Sequence, residues 1–425
     1  MRAYIQKSDL EGEIKCPPGK SETHREIFLS ALTDGKVSHI KNPLLGRDTI
    51  ATIDACRKFG ATITIDSENN LTITGKANLD GRNRFIDASN SGTTIRIATA
   101  RAALGEGETE LTGDSSLRTR PMMPLLNALR DLGAQCSSAG NGVPPIKVRG
   151  MVSGGEVFID GSVSSQFISA LLIFGALMEK GLTLTVLGNL VSYHYVEGTI
   201  DAMRRHGVEV RTIVPFKKYR VPNQKYSAVD HEVAGDWSSA ALVIAMAALV
   251  GREVSIVDNI SKSPQGDRAI LGYAQQLGIR IKSDGYRISI ESPKYLNGGR
   301  FDLNATPDLL PAIALFALKS PEPIYLTNVA HARKKETDRI KVICQEFSKI
   351  GIDVEEKADG MRLQWNGELY PADFDSHDDH RLFMAFSIAG MYIGNCSVSH
   401  PESVDVSYPG FVEEMKRLHA KIEVR

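Results

Sequence analysis

Residues 54–65 read DACRKFGATITI, and the same succession of residue types returns at 125–138 (LLNALRDLGAQCSS), 201–213 (DAMRRHGVEVRTI), 272–283 (GYAQQLGIRIKS), 344–356 (CQEFSKIGIDVEE) and 413–424 (EEMKRLHAKIEV). Each instance is an amphipathic, helix-like run, then Gly, then a short β-like alternation. The glycines are Gly60, Gly133, Gly207, Gly278 and Gly351, with Ala420 in the sixth place, and the spacing is 69 to 74 residues. A glycine there reads as a helix end that needs the left-handed backbone, so the unit is helix, tight turn, strand. Ala420 requires a different cap.

A second set of segments runs in phase with the first. It starts at Ser21 (SETHREIFLSAL), Ser91 (SGTTIRIATARAAL), Ser164 (SSQFISALLIFGALM), Ser238 (SSAALVIAMAALV), Pro307 (PDLLPAIALFAL) and Asp379 (DHRLFMAFSIAG). Residues 164–178 contain no charge at all. A helix that is apolar on every side must be enclosed by other elements. Two in-phase sets of six predict six copies of a unit of about 72 residues, longer than the 20–50 residues usual for solenoid repeats. An open scaffold of six units would leave the uncharged helices uncovered. Grouping three units into each of two closed lobes of about 210 residues covers them and gives domains of ordinary size. The expected class is α/β.

The 425 residues carry 50 Lys+Arg against 51 Asp+Glu, a formal net charge of −1, with 42% hydrophobic and 24% charged residues. That balance argues against a nucleic-acid coat or an anionic-membrane binder, which carry a basic excess. The longest uncharged apolar stretches, 167–178 and 240–250, are shorter than the roughly 20 residues that span a bilayer. The first residues lack both a secretory apolar region and the Arg/Ser-rich, acid-poor character of a transit peptide, so a cytoplasmic protein is expected. Cys16, Cys56, Cys136, Cys344 and Cys396 are odd in number and far apart, as reduced thiols would be.

The chemistry concentrates where the buried runs begin. Helix N-termini offer unpaired N–H groups and a positive dipole end to anions. These starts also carry Lys20 and Arg25, Asn90 and Arg96, Ser164, Ser165 and Gln166, Asp308, and Arg381. Further basic clusters stand at Arg118 and Arg120, and at Arg333, Lys334, Lys335 and Arg339. Any one of these is more simply a solvated charge or a cap, but six in phase point to a cationic cleft in a neutral protein. The substrates it suits are small and bear several phosphate or carboxylate groups. Among the cations stand two acids, Asp308 and Glu336, either ordinary ion-pairing residues or groups that move a proton.

The segments GKSETHR, SNSGTTIR, LRTRPM, GSVSSQF, GDWSSAA, PDLLPA, RKKETDR and DDHR resemble, in order and spacing and over essentially the whole chain, the 3-phosphoshikimate 1-carboxyvinyltransferase (EPSP synthase) family. The resemblance implies a two-lobed inside-out α/β barrel, each lobe three βαβαββ units around buried parallel helices. It places residues 15–235 in one lobe and 1–14 with 236–425 in the other, the chain crossing twice. The implied reaction moves the enolpyruvyl group of phosphoenolpyruvate to the 5-hydroxyl of shikimate 3-phosphate by addition and elimination, with no metal or organic cofactor. Closure of the lobes on the substrates is implied as well.

By similarity, Lys20, Ser21, Arg25, Ser164, Ser165, Gln166, Ser192 and Tyr195 hold shikimate 3-phosphate, with Asp308, His331 and Lys335. Lys20, Asn90, Gly92, Thr93, Arg120, Gln166, Arg339 and Arg381 meet phosphoenolpyruvate. Lys20, Asp308 and Glu336 are the implied catalytic residues, their acid and base duties undivided by sequence. The implied protein is a monomer inhibited by glyphosate, although its sensitivity is open: Gly92 suggests it, and a missing cation opposes it. That cation is a Lys of the family's C-terminal motif, replaced here by Val406, for which Lys334 is a candidate substitute. His331 stands where some members have Asn, and Pro18-Gly19 leads straight into Lys20 without the usual intervening residue. The sister family acting on UDP-N-acetylglucosamine carries a reactive Cys before its Arg-Pro, whereas residues 113–121 read GDSSLRTRP. A binding scaffold would leave the co-occurrence of Lys20, Arg120, Asp308, Glu336 and Arg381 without a reason. His377, Asp378, Asp379 and His380 lack a zinc spacing and read as capping residues.

Overall fold

The computed structural model describes every residue except 258. The chain divides into two compact units, Pro18–Val233 and Met1–Pro17 with Ala234–Arg425. Among the described residues there are six four-stranded sheets, and all six follow one connectivity. In the sheet that starts at Gly155–Asp160, this strand pairs in parallel with Leu182–Leu187 across the helix Ser165–Gly175. The helix Tyr193–Arg205 then leads into the hairpin Arg211–Val214 and Lys218–Val221, whose second strand returns antiparallel to Leu182–Leu187. This is the βαβαββ unit, three copies to each half of the chain, in an α/β fold.

Three of the six units borrow a strand from a distant part of the sequence. Asp230–Glu232 runs parallel to Val37–Lys41. Arg2–Ile5 lies between Cys396–Ser399 and Ile422–Val424, and Leu10–Ile14 runs parallel to Gly251–Val257. Ala3, Ile5, Leu10 and Ile14 are fully buried, so these N-terminal strands are part of the core of their unit.

The amphipathic helices end as the glycines require: Gly60, Gly133, Gly207, Gly278 and Gly351 have φ between 77° and 103°. After the helix Arg47–Lys58 the Gly60 amide donates to the Arg57 carbonyl and the Ala61 amide to the Cys56 carbonyl, a Schellman closure. The sixth unit corrects the alignment. His419, not Ala420, is the left-handed residue, with φ 73°, and it repeats the bond pattern through Lys416 and Met415.

The second set forms the buried helices. Every residue of Trp237–Val250 is buried, and Ser165–Gly175 leaves only Gln166 partly accessible. Each buried Leu, Ile or Phe contributes about 1.5–3 kcal/mol. Gly92–Ala102 packs on Ser165–Gly175 in one unit; in the other, Trp237–Val250, Leu310–Leu315 and His380–Ile393 pack on one another. Their first turns are capped by Ser91, Ser164, Asp236 and Asp379. The start at Ser238 therefore shifts to Asp236, whose carboxylate accepts from the Ser239 amide. The run from Pro307 is broken into a 3-10 turn, a short helix Leu310–Leu315 and a second 3-10 turn, with Pro311 unable to donate an amide hydrogen. Among the described residues no helix is long and apolar enough to cross a membrane. The five cysteines form no disulfide among the described residues, and burial pushes the Cys56 thiol up to about 12.

Candidate functional site

In the unit Pro18–Val233 the candidate residues fall at the starts of four helices. Lys20 opens the helix Lys20–Ala31, where Gly19 provides no side-chain cap, and its Nζ is 3.1 Å from Asp48 Oδ2. Ser21 follows, its carbonyl accepting from Arg25 Nη1. Arg25 is buried and gives two further donors to Thr199 Oγ1 (2.8 Å) and the Tyr195 carbonyl (2.8 Å). Burial pushes its pKa down to about 10, against Tyr195, Glu22 and Glu26, which favour the charge. Ser192, itself left-handed with φ 53°, precedes the helix that carries Tyr195.

The second group surrounds the first turn of Gly92–Ala102. Arg120 Nη2 donates to Asn90 Oδ1 (2.7 Å) and Ser116 Oγ (3.2 Å), and Asn90 Nδ2 donates to Asp114 Oδ2 (2.7 Å). Arg120 Nε is buried without a hydrogen-bond partner among the described residues. Gln166 donates to Thr93 Oγ1 (3.0 Å) and accepts from Arg96, while Ser164 caps the helix in which Ser165 is buried. A Cβ at Gly92 would meet Arg120 Nη1 at 3.2 Å, Arg96 Nη1 at 3.4 Å and Gln166 Oε1 at 3.6 Å. Glycine here leaves room in front of two guanidiniums and an amide, a constellation suited to a small anion.

The other unit gathers the remaining candidates around Asp308, which lies in the 3-10 turn Pro307–Leu309. Its oxygens face Arg339 Nη1 at 2.8 Å, Lys335 Nζ at 3.4 Å and Arg381 Nη2 at 3.7 Å. Arg339, 1% exposed, also binds Glu336 Oε2 (2.8 Å) and grips Asp379 through Nε (2.7 Å) and Nη2 (3.2 Å). Burial alone would weaken its charge, but Asp379, Glu336 and Asp308 hold it above the ordinary arginine range. His331 is buried, its Nε2 without a hydrogen-bond partner among the described residues; burial, then Lys335, pushes its pKa down to about 4. Its neutral ring keeps one N–H to donate. Lys334 is exposed, and Val406 is buried at 3% accessibility, an aliphatic side chain that supplies no charge.

Several partners escape the sequence reading. Asp48 holds Lys20, Asp114 holds Asn90, and Asp379 does two things at once, capping Arg381 and Leu382 while binding Arg339. Only Asp379 carried a signal, as a cap. Glu22, Glu26 and His231 also come together, with Arg205 and His206 already paired to the two glutamates.

Helix starts that present guanidiniums and amides, with a carboxylate flanked by cations, on βαβαββ units, are what a transferase acting on small anionic substrates needs. An enolpyruvyl transferase from Streptomyces tendae, NikO, shares the fold at a TM-score of 0.74 over 99% of this chain and 98% of its own, at 16% identity. The family model described as EPSP synthase (3-phosphoshikimate 1-carboxyvinyltransferase) matches residues 5–415. The relative from Nitrosopumilus maritimus named 3-phosphoshikimate 1-carboxyvinyltransferase is 49% identical over the full length of both chains; that from Methanosarcina mazei is 43% identical over 100% of this chain and 99% of its own. The solved EPSP synthase of Acinetobacter baumannii superposes with a TM-score of 0.80 at 26% identity, covering 100% of this chain and 99% of that one. The chain belongs to the EPSP synthase family, and its activity is the transfer of enolpyruvyl from phosphoenolpyruvate to shikimate 3-phosphate.

Proposed function

We propose that the transfer is carried out by the residues grouped above. Asp308 takes the proton of the shikimate 3-phosphate 5-hydroxyl, with Lys335 and His331 holding the same substrate. The hydroxyl oxygen bonds to the central carbon of phosphoenolpyruvate while Glu336 delivers a proton to the methylene carbon, giving a tetrahedral ketal. Glu336 then recovers a proton from the new methyl group as the carbon–oxygen bond to phosphate breaks. Lys20 neutralises the departing phosphate.

Ser21, Arg25, Ser164, Ser165, Gln166, Ser192 and Tyr195 bind shikimate 3-phosphate, and Asn90, Gly92, Thr93, Arg120, Gln166, Arg339 and Arg381 bind phosphoenolpyruvate. Lys334 replaces the cation missing at Val406. In the same reading glyphosate competes for the phosphoenolpyruvate residues, and the protein works as a cytoplasmic monomer. The observation that carries the assignment is the Asp308 carboxylate facing Lys335, Arg339 and Arg381 within 3.7 Å. A carboxylate so placed can accept a proton while the cations hold the anionic substrate, and pre-positioned charge of this kind is a large term in catalysis. Phosphate release from phosphoenolpyruvate by the purified protein is expected to require shikimate 3-phosphate and to fall by at least roughly a hundredfold in Asp308→Ala and in Glu336→Ala. Release driven instead by UDP-N-acetylglucosamine would overturn the reading, as would full activity in both variants.

A further inference from the structure

The helices Lys20–Ala31, Arg47–Lys58 and Gly92–Ala102 pack on one another within the unit Pro18–Val233. Each brings one polar side chain into the space between them: His24, Thr52 and Thr94, all completely buried. Ser91, the cap of the third helix, is buried with them. His24 Nδ1 lies 2.7 Å from Thr52 Oγ1, Thr52 Oγ1 lies 2.6 Å from Thr94 Oγ1, and Thr94 Oγ1 lies 2.6 Å from Ser91 Oγ. Four residues thus form one continuous hydrogen-bonded line.

The protons of this line run one way. The Thr94 hydroxyl donates to Ser91 Oγ, which also accepts from the Thr94 amide at 3.1 Å. A threonine hydroxyl has one proton, so Thr94 Oγ1 accepts from Thr52, and Thr52 Oγ1 in turn accepts from His24. The Asp48 carbonyl, 3.4 Å from both threonine hydroxyls, is the more distant acceptor for each. His24 is therefore the tautomer that carries its proton on Nδ1. Its Nε2 is buried with no hydrogen-bond partner among the described residues, which suits a bare lone pair, just as buried backbone carbonyls go short of a partner more often than buried N–H groups. The ring stays neutral, because burial, then Lys20 and Arg25, hold His24 well below the ordinary histidine range.

The line joins the first turns of the three helices. His24 stands one turn after Lys20, and Thr52 one turn after Asp48, whose carboxylate holds Lys20. Ser91 stands between Asn90 and Gly92 and caps the turn that contains Thr93. We propose that His24 is a positioning residue for phosphoenolpyruvate: by donating its Nδ1 proton into the line Thr52–Thr94–Ser91, it fixes the turn that carries Asn90, Gly92 and Thr93 relative to Lys20. The inference rests on the assignment of Asn90, Gly92 and Thr93 given above. In this role His24 exchanges no proton during the transfer. It acts on binding rather than on the chemical step, because the same turn holds the ground state and the transition state.

Two variants separate the donor from the ring. His24→Leu removes the donor, and KM for phosphoenolpyruvate is expected to rise about five- to tenfold with kcat changed by less than about twofold. His24→Asn keeps an amide N–H near the place of Nδ1 and is expected to bring KM back to within about twofold of wild type. Thr94→Val cuts the line in its middle; its KM is expected to match that of His24→Leu, and the double variant to exceed either by no more than about twofold, whereas independent effects multiply. A fall in kcat with KM unchanged, equal impairment in His24→Asn and His24→Leu, or multiplying effects in the double variant overturns the proposal. Should the variants at position 24 fail to fold, nitrogen-15 NMR of the full wild-type chain labelled at histidine supplies the second measurement. The ring whose resonances shift in Thr52→Val is expected to be neutral, protonated at Nδ1, and unchanged from about pH 8 to about pH 5, the range in which an ordinary imidazole titrates. A proton on Nε2, or a second proton gained in that range, overturns the line itself. An unchanged KM in every variant with the Nδ1 tautomer in place strikes instead at the assignment of Asn90, Gly92 and Thr93 to phosphoenolpyruvate, and takes the positioning role with it.

Discussion

A methyl group at position 92 would stand 3.2 Å from Arg120 Nη1, close enough that this guanidinium must give by a few tenths of an ångström, and 3.4 Å from Arg96 Nη1, which it would touch. The backbone would not object, since residue 92 is the first of a helix and alanine is favoured over glycine in helices by about 1 kcal/mol. Gly92→Ala is therefore expected to keep or slightly raise the melting temperature while raising KM for phosphoenolpyruvate about tenfold, the equivalent of about 1.4 kcal/mol. Steady-state kinetics beside a thermal melt check both halves, and an unchanged KM would remove Gly92 from the anion-binding group. At this scale the sequence displayed the cations well, because Lys20, Arg120, Arg339 and Arg381 stand in short recognisable segments. The pairings with acids were hidden, even where the acid itself, as with Asp308, was already a candidate. Lys20 meets Asp48, and Arg339 meets Asp308 and Asp379, across chain separations that only the packing of separate helices closes.

The helix ends show where periodicity is a sufficient guide and where it slips. Five glycines mark five left-handed caps because only glycine adopts that conformation without cost, so residue type and geometry coincide. In RLHAKIEV the chemistry gives no such marker: the flanking pattern aligns Ala420 with the glycines, one residue late, and alanine there calls for a different cap. The bonds settle on His419 because its amide and that of Ala420 reach the Lys416 and Met415 carbonyls. Histidine is tolerated in the left-handed region but remains strained relative to glycine. His419→Gly is expected to stabilise the chain by about 0.5–1 kcal/mol, read as a higher urea midpoint with an unchanged slope. The lost contact with Glu11, at 4.0 Å between exposed side chains, offsets little of this. A lower midpoint would mean that the imidazole contributes more than its backbone costs. The run from Pro307 went the other way: apolar composition suggested one continuous helix, and Pro311, which cannot donate back to the first turn, separates a 3-10 turn holding Asp308 from the α segment.

For the whole molecule, the six-fold periodicity made the repeat count legible, while the pairing of N-terminal strands with C-terminal ones rested on resemblance, since no local pattern says which sheet a four-residue strand will join. That pairing has a measurable consequence. Ile5, Leu10 and Ile14 are fully buried against residues from 240 onward, and at about 2 kcal/mol each they contribute roughly 6 kcal/mol, comparable with the 5–15 kcal/mol of a whole domain. Residues 234–425 produced alone are therefore expected to lack a cooperative unfolding transition. The backbone of Arg2 exchanges two hydrogen bonds with Arg425, at 2.9 and 3.0 Å, so the strands Ile422–Val424 and Arg2–Ile5 end and begin side by side in antiparallel pairing. A loop of about 2–5 residues suffices to join such strands as a hairpin. A permuted chain running 234–425, short loop, 1–17 is then expected to regain a single cooperative urea transition, and residues 18–233 to fold as a separate product. The near-ultraviolet circular dichroism and urea slope of the three polypeptides decide the matter. Cooperative folding of 234–425 without the first seventeen residues would show that the N-terminal strands decorate their sheets rather than complete them.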